Sequence, residues 1–255
     1  MSRLNKALSH WSRGELHSLS WLSKYEISPR VANKYYARGS LKKVAPGIFA
    51  RPYDQISWQG VVGVLQNDLK LPIHVGGRSA LELHGVGHYI QIGDNPIINV
   101  ISRDKARVPF WAKSGAWNGS LKVKQSSMIT TAPELTKYER GGISIDISSR
   151  EQAILEFIEE IDLSDTFETA QNYMEGLLTL RPQVVQHLLE NCKSVKVKRV
   201  FLFLAKYLEL PFYEQLKVKK IDLGSGKRLI AKDGNLDTKF NITVPKKYFE
   251  DSNGF

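Results

Sequence analysis

The chain has 255 residues, a net charge of +10 and one cysteine, Cys192. That length accommodates two domains with separate cores, and the lone cysteine excludes an internal disulfide framework or a thiolate zinc cluster within one chain. No apolar run approaches the roughly 20 residues that cross a bilayer, and MSRLNKALSHWSRGE lacks the apolar core of a signal peptide, so a soluble cytoplasmic protein with no membrane partner is expected.

In chain order, Leu4, Ala7, Leu8 and Trp11 follow helical spacing and predict a first helix, broken by Gly14. Leu16, Leu19 and Leu22 predict a second short helix on one stripe. Ser28 and Pro29 are an N-cap and a first-turn proline, and Gly39 is a stop signal, which delimits a third helix. On it Val31, Ala32, Tyr35 and Tyr36 are expected to face inward and Arg30, Asn33, Lys34 and Arg38 outward. Two β-like runs follow, 41–45 and 48–51, with Pro46-Gly47 as the turn. Three helices and a hairpin in this order predict a winged helix-turn-helix. Its basic helix suits a DNA major groove and its basic hairpin a phosphate backbone. The alternative is a three-helix subdomain with a solvated basic face.

Residues 55–70 read as a helix weakened by Gly60 and Gly63 and ended by Pro72. Ile73–Val75 reads as a strand, Gly76-Gly77 as a turn, and Ser79 as the cap of a short helix stopped by Gly85. Strands are expected at 89–92, 97–101, 121–125 and 143–147, separated by turn residues. The cluster Gly93-Asp94-Asn95 is the expected boundary. It divides an N-terminal DNA-binding domain at 1–94, with its core in 1–54, from a second domain at 95–255. A capping box from Ser148 to Glu151 opens a helical region, with further helices starting at Thr166, at Arg181-Pro182 and at 195–208. Strands at 228–231 and 240–244, joined by a hairpin turn at Asp233-Gly234-Asn235, close the chain. The fold class expected is α+β, a winged helix-turn-helix followed by a mixed α/β domain.

Charge is uneven along the sequence. Residues 1–54 carry ten Lys/Arg against three Asp/Glu (+7), residues 181–255 fifteen against eight (+7), and residues 55–180 eleven against fifteen (−4). Two basic ends suggest two surfaces that meet polyanions. Catalytic signals are weak. Gly224-Ser225-Gly226-Lys227 lacks both the upstream glycine and the Ser/Thr of a phosphate loop, since Ile221 and Arg228 stand there. His84 and His88 are separated by glycines, which argues against one helical metal site; no metal and no cofactor is expected. Asp146, Glu151 and Glu156 invite a metal-dependent nuclease reading, but Glu151 and Glu156 are five apart on a predicted helix and so not stacked. No G-x-S-x-G elbow occurs. At 193–199 lysines crowd the start of an apolar helix, where the helix dipole disfavours cations unless DNA phosphate or an acidic protein patch offsets them.

The strings TLRPQVVQHLLENCKSVKVKRVFLFLA, IDLGSGKRLI and FNITVP, with YYARGSLKKVAPGIFARP and LPIHVGGRSALELHG upstream, resemble the AbiEi family of antitoxins of type IV toxin–antitoxin systems, which also act in abortive infection by phage. The resemblance implies an N-terminal winged helix that binds inverted repeats in its own operon promoter, and a C-terminal domain that counters a nucleotidyltransferase-like toxin encoded alongside. Whether antitoxin and toxin touch is left open, and a monomer in solution is expected. On this reading the DNA-binding residues are Ser28, Arg30, Asn33, Lys34 and Arg38 on the helix, with Lys42, Lys43 and Arg51 on the wing. A second basic surface of Lys196, Lys198, Arg199, Lys227 and Arg228 serves DNA or antitoxicity. The protein is then a repressor and not an enzyme. A metal-dependent nuclease and a non-DNA-binding interaction protein stand as the alternatives.

Overall fold

The computed structural model describes residues 2–87, 95–113, 115–161, 164–231 and 234–250, and the chain gathers into two compact units that interleave along the sequence. One unit is Met1–Val75, Gln91–Ser126 and Leu135–Ile147; the other is Gly76–Ile90, Ser127–Glu134 and Ser148–Phe255. The expected strand at 89–92, and Gly93 and Asp94 of the expected boundary, lie outside the described residues.

In the first unit, α1 (Arg3–Leu8) starts at Ser2, whose Oγ accepts the Asn5 amide, and ends three residues short of Trp11. Gly14 turns the chain with φ +75°. The helix expected through Leu16 and Leu22 is divided: β1 (Leu16–Ser18) is extended, and only α2 (Leu19–Ser23) is helical. Ser18, at φ −83° and ψ 166° as the cap of α2, breaks any continuous helix, and residues 16–18 pair instead with residues 48–50, a long-range contact that outweighs the leucine stripe. Next come α3 (Pro29–Ala37), β2 (Lys42–Ala45) and β3 (Ile48–Ala50). The sheet order is β1-β3-β2, antiparallel throughout. Helices and sheet share a core of Leu4, Ala7, Trp11, Leu22, Ile27, Ala32, Leu41 and Phe49.

The chain continues into α4 (Trp58–Gly63), capped by Ser57 and prolonged by one π-helical turn, Val64–Asp68. Gly60 lies so close to the Gly14 carbonyl that any Cβ would collide with it, which is why a poor helix former stands there. After β4 (Ile73–Val75) the chain visits the other unit for α5 (Gly77–Leu83). It returns for β5 (Ile97–Ser102), α6 (Phe110–Lys113), β6 (Ser120–Gln125), β7 (Leu135–Arg140) and β8 (Ile143–Ser148). These strands form a mixed five-stranded sheet in the order β6-β5-β4-β8-β7, with β5 antiparallel to β4 and parallel to β6. The edge strand β7 reads LTKYER and is almost wholly exposed, so it lacks the apolar alternation that reveals a strand in sequence.

In the second unit, α5 starts after Gly76. Ser79 is not its cap but a residue buried inside it. The expected capping box is also corrected. The cap of α7 (Arg150–Glu159) is Ser149, whose Oγ accepts the Gln152 amide at 3.3 Å. Ser148 Oγ instead donates to Glu156 at 2.8 Å, and Glu151 turns away to Arg181. Then come α8 (Ser164–Glu175), α9 (Pro182–Glu190) and α10 (Val195–Tyr207), the last buried on nearly every side from Val197 to Ala205. The tail is not a simple hairpin. It forms β9 (Arg228–Leu229), β10 (Asn235–Asp237), β11 (Ile242–Val244) and α11 (Lys247–Glu250), with β11 in the middle, antiparallel to β10 and parallel to β9. Phe167, Phe201, Phe212 and Phe240 are fully buried in this unit. Among the described residues, no helix is long and apolar enough to cross a membrane.

Candidate nucleic-acid interface

The start of α3 is built by Ser28, whose Oγ accepts the Val31 amide at 3.4 Å, with Pro29 in the first turn. Ala32 is fully buried, and Val31 and Tyr35 are half-buried. The opposite face leaves Arg30, Asn33, Lys34 and Arg38 exposed, together with Ser28. Tyr36, expected inward, is 49% exposed. At 100° per residue it lies about 90° around the helix from the centre of the Val31–Ala32–Tyr35 stripe, so it flanks the core. Lys42 and Lys43 on β2 are exposed, opposite Ala50 and Phe49 of β3, and Gly47 at φ +75° turns the hairpin.

Arg51 is a correction to the expected wing. Its Nη1 donates to the Trp11 carbonyl at 2.7 Å and to the Leu8 carbonyl at 3.4 Å, with Asp54 3.9 Å from its Nε. The last carbonyls of a helix have no intrahelical donor, and Arg51 supplies one to α1.

No motif along the chain marks the group that ties β1 to α2 and to the π-helical turn. His17 is buried, stacked on Trp21 at 3.6 Å and met edge-on by Trp11 at 5.1 Å. Its Nδ1 is 3.3 Å from Asp68 and its Nε2 is 3.3 Å from Glu15. Asp68 also accepts the Ser18 amide at 2.6 Å. Burial pulls the His17 pKa down, but the contacts with Asp68 and Glu15 outweigh it and leave the pKa above its ordinary value. Asp68 is lowered, its own burial being outweighed by His17 and the Ser18 amide.

The second basic set does not come together as a surface. Lys198 and Arg199 are buried in α10, Lys196 is half-buried, and of the five only Lys227 and Arg228 are exposed. Lys196 Nζ donates to the Glu159 and Ile161 carbonyls, at 3.0 and 2.8 Å. The partial negative charge of carbonyls at and just beyond the C-terminal end of α7 thus helps offset this cation at the start of α10. The Arg199 guanidinium donates from Nε to Leu223 (2.8 Å), from Nη1 to Gly226 (2.6 Å) and Asn241 (3.0 Å), and from Nη2 to Gly224 (3.0 Å), all backbone carbonyls. The glycine-rich loop thus turns carbonyls, not amides, toward the charge it encloses, the reverse of a phosphate cradle.

The other candidate catalytic groups are spoken for individually. Asp146 pairs with Lys137 at 2.8 Å. Glu151 takes a two-pronged contact from Arg181, at 2.9 Å on each oxygen, and accepts the Arg181 amide at 3.0 Å. These outweigh its burial and hold it at about 2. Glu156 accepts from Gly77, Ser148 and Gln152. His84 Nε2 lies 2.8 Å from the Ser148 carbonyl, and burial lowers its pKa; His88 is outside the described residues. Burial raises the Cys192 thiol to about 11.

Folding redraws the charge map. The first unit holds nineteen Lys/Arg against eight Asp/Glu, a net +11, and the second holds seventeen against eighteen, a net −1. The basic C-terminal segment shares its unit with most of the acidic middle, whereas the first unit adds the lysines and arginines of 103–124 to those of 1–54.

Comparison with known proteins matches residues 1–92 to the family model described as "Transcriptional regulator, AbiEi antitoxin N-terminal domain" and residues 95–245 to "Transcriptional regulator, AbiEi antitoxin, Type IV TA system". Comparison with curated proteins finds no match. Among solved structures, the crystal structure of RV2827C protein from Mycobacterium tuberculosis is similar, with a TM-score of 0.59 and 13% identity over 94% of this chain and 90% of that one. At that identity the likeness speaks for the fold alone.

Proposed function

Because the chain belongs to the AbiEi antitoxin family of type IV toxin–antitoxin systems, we propose that it represses its own operon in the cytoplasm. Residues 1–94 bind inverted repeats in the promoter as a winged helix, and residues 95–255 counter a nucleotidyltransferase-like toxin encoded beside it. The observation that carries the DNA-binding half is the exposed face of Arg30, Asn33, Lys34 and Arg38 on α3, beside the β2–β3 hairpin. A helix of this kind enters a major groove, where Arg or Lys reads guanine and Asn reads adenine, each worth about 1–3 kcal/mol against a wrong base. Lys42 and Lys43 contact phosphate and add affinity with little specificity. Arg51 acts behind them by fixing α1. A net +11 on this unit supplies the long-range attraction that brings a duplex in. The protein binds as a monomer to each half-site.

The test is a mobility-shift titration of the full chain against its promoter. Arg30→Ala with Lys34→Ala abolishes binding while the circular dichroism spectrum is kept, and wild-type affinity falls with salt at a log–log slope near −5, as about six phosphate contacts require. Unchanged affinity in the double variant refutes the assignment of α3. The same variant is expected still to rescue growth when the toxin is co-expressed, since that task is assigned to the other part of the chain.

A further inference from the structure

The connection from β5 to β6 adds charge to the first unit but supplies no direct duplex contact in the reading above. It carries Arg103, Lys105, Arg107 and Lys113, and Asp104 is its one acidic residue. Lys122 follows on β6, an edge strand. This loop is built rather than slack. Ser102 Oγ donates to the Ala106 carbonyl at 3.1 Å, and the buried Trp117 indole donates to the Ala112 carbonyl at 2.9 Å. Val108 and Ala112 are buried beneath it. Asp104 and Lys105 are both in the left-handed region, at φ 54° and 55°, a conformation that side chains other than Gly, Asn and Asp rarely adopt. With that scaffold fixed, Phe110 projects from α6 with 81% of its surface in solvent, and Lys105, Arg107 and Lys113, all within five residues of it in sequence, are exposed as well.

An aromatic ring held out of the core among cations matches one chemistry well. The phenyl ring has no donor or acceptor to read a base edge in a groove, and α6 has only four residues, too short to lie along a major groove. The ring can receive the face of a base, and a base offers its face only when unpaired. The surrounding charge selects a polyanion over an apolar protein patch, and it repels a second copy of the same site. We infer that this connection binds single-stranded nucleic acid, with an unpaired base stacked on Phe110 and the flanking phosphates held by Lys105, Arg107 and Lys113.

The test uses the full chain and fluorescence anisotropy with labelled oligo(dT) and oligo(rU) of about 12 nucleotides, beside the promoter duplex. Wild type binds the single strands. Phe110→Ala weakens that binding about 5- to 100-fold, Phe110→Trp restores it, and the melting temperature of neither variant moves, because the ring is exposed. Arg107→Ala with Lys113→Ala flattens the single-strand salt slope by about 1.4. Duplex binding survives Phe110→Ala, whereas Arg30→Ala with Lys34→Ala removes duplex binding and spares the single strand, so this site and the α3 site fail separately. The inference is overturned if wild type does not bind the single strands, if Phe110→Ala binds them as tightly as wild type, or if Phe110→Trp is as weak as Phe110→Ala.

Discussion

Arg199 offers the sharpest test of how the second unit uses its charge. The residue is 2% exposed, and its guanidinium meets the carbonyls of Leu223, Gly224, Gly226 and Asn241. Replacing it with methionine keeps much of the volume and deletes every donor. Gly224 and Gly226 are exposed, so their carbonyls rehydrate when the donor is lost; the Asn241 carbonyl keeps the Arg228 amide at 3.0 Å, and that of half-buried Leu223 rehydrates poorly. One poorly solvated acceptor costs about 1–3 kcal/mol, so Arg199→Met is expected to destabilise by about that much. In a chain of this size that is a fall of roughly 2–12 °C in melting temperature. Arg199→Lys recovers at most about half of it, since an ammonium cannot reproduce a planar fork that reaches four carbonyls. Thermal melts of the three proteins measure this, and promoter binding well below the lower transition serves as the control. A variant that melts with wild type but binds DNA more weakly refutes the structural reading and returns Arg199 to a phosphate-binding role.

Other expected outcomes follow from the same geometry. Glu151, held at about 2 against an ordinary 4.5, contributes stability that is present above pH 4.5 and lost as pH falls toward 2. Allowing for solvent around the half-exposed Arg181, Glu151→Gln loses about 2 kcal/mol at pH 7 and much less near pH 3 by urea titration; a difference independent of pH refutes the pairing. The raised His17 pKa contributes stability that is fully present below its unfolded value near 6.5 and fades as pH rises through the folded value. His17→Phe, which keeps the stack on Trp21, therefore destabilises more at pH 6 than at pH 9, and the opposite order in urea titrations contradicts the contacts with Glu15 and Asp68. Gly60→Ala drives a methyl into the Gly14 carbonyl and is expected to cost about 1–3 kcal/mol, read as a lower urea midpoint. A midpoint at or above wild type shows that the two backbones are not in contact.

Much of the N-terminal module was legible because its signals act over a few residues. Ser28, Pro29 and Gly39 delimit α3, and Pro46-Gly47 places the hairpin, whatever the rest of the chain does. The exposure of Arg30, Asn33, Lys34 and Arg38 was legible in the helical pattern, whereas Tyr36, expected inward on that pattern, is exposed. The same local reading failed at Leu16, where pairing with Ala50 outweighs a leucine stripe, and at Ser148, where a second serine stood one residue nearer the helix.

Sequence alone determined where α3 starts and stops, which of its cations are outward and how much net charge the chain carries. Only the tertiary structure decided which charges meet solvent and which unit owns them. Arg199 is enclosed by a loop some 25 residues away, His17 is held by Asp68 across 51 residues, and Glu151 is paired with Arg181 across 30. The cations of 103–124 join those of 1–54 in one unit because the chain returns to it after α5. Caps, turns and periodicity are short-range steric and hydrogen-bonding preferences written residue by residue. Burial and ion pairing are decided by partners distant in sequence, brought together only when the chain packs.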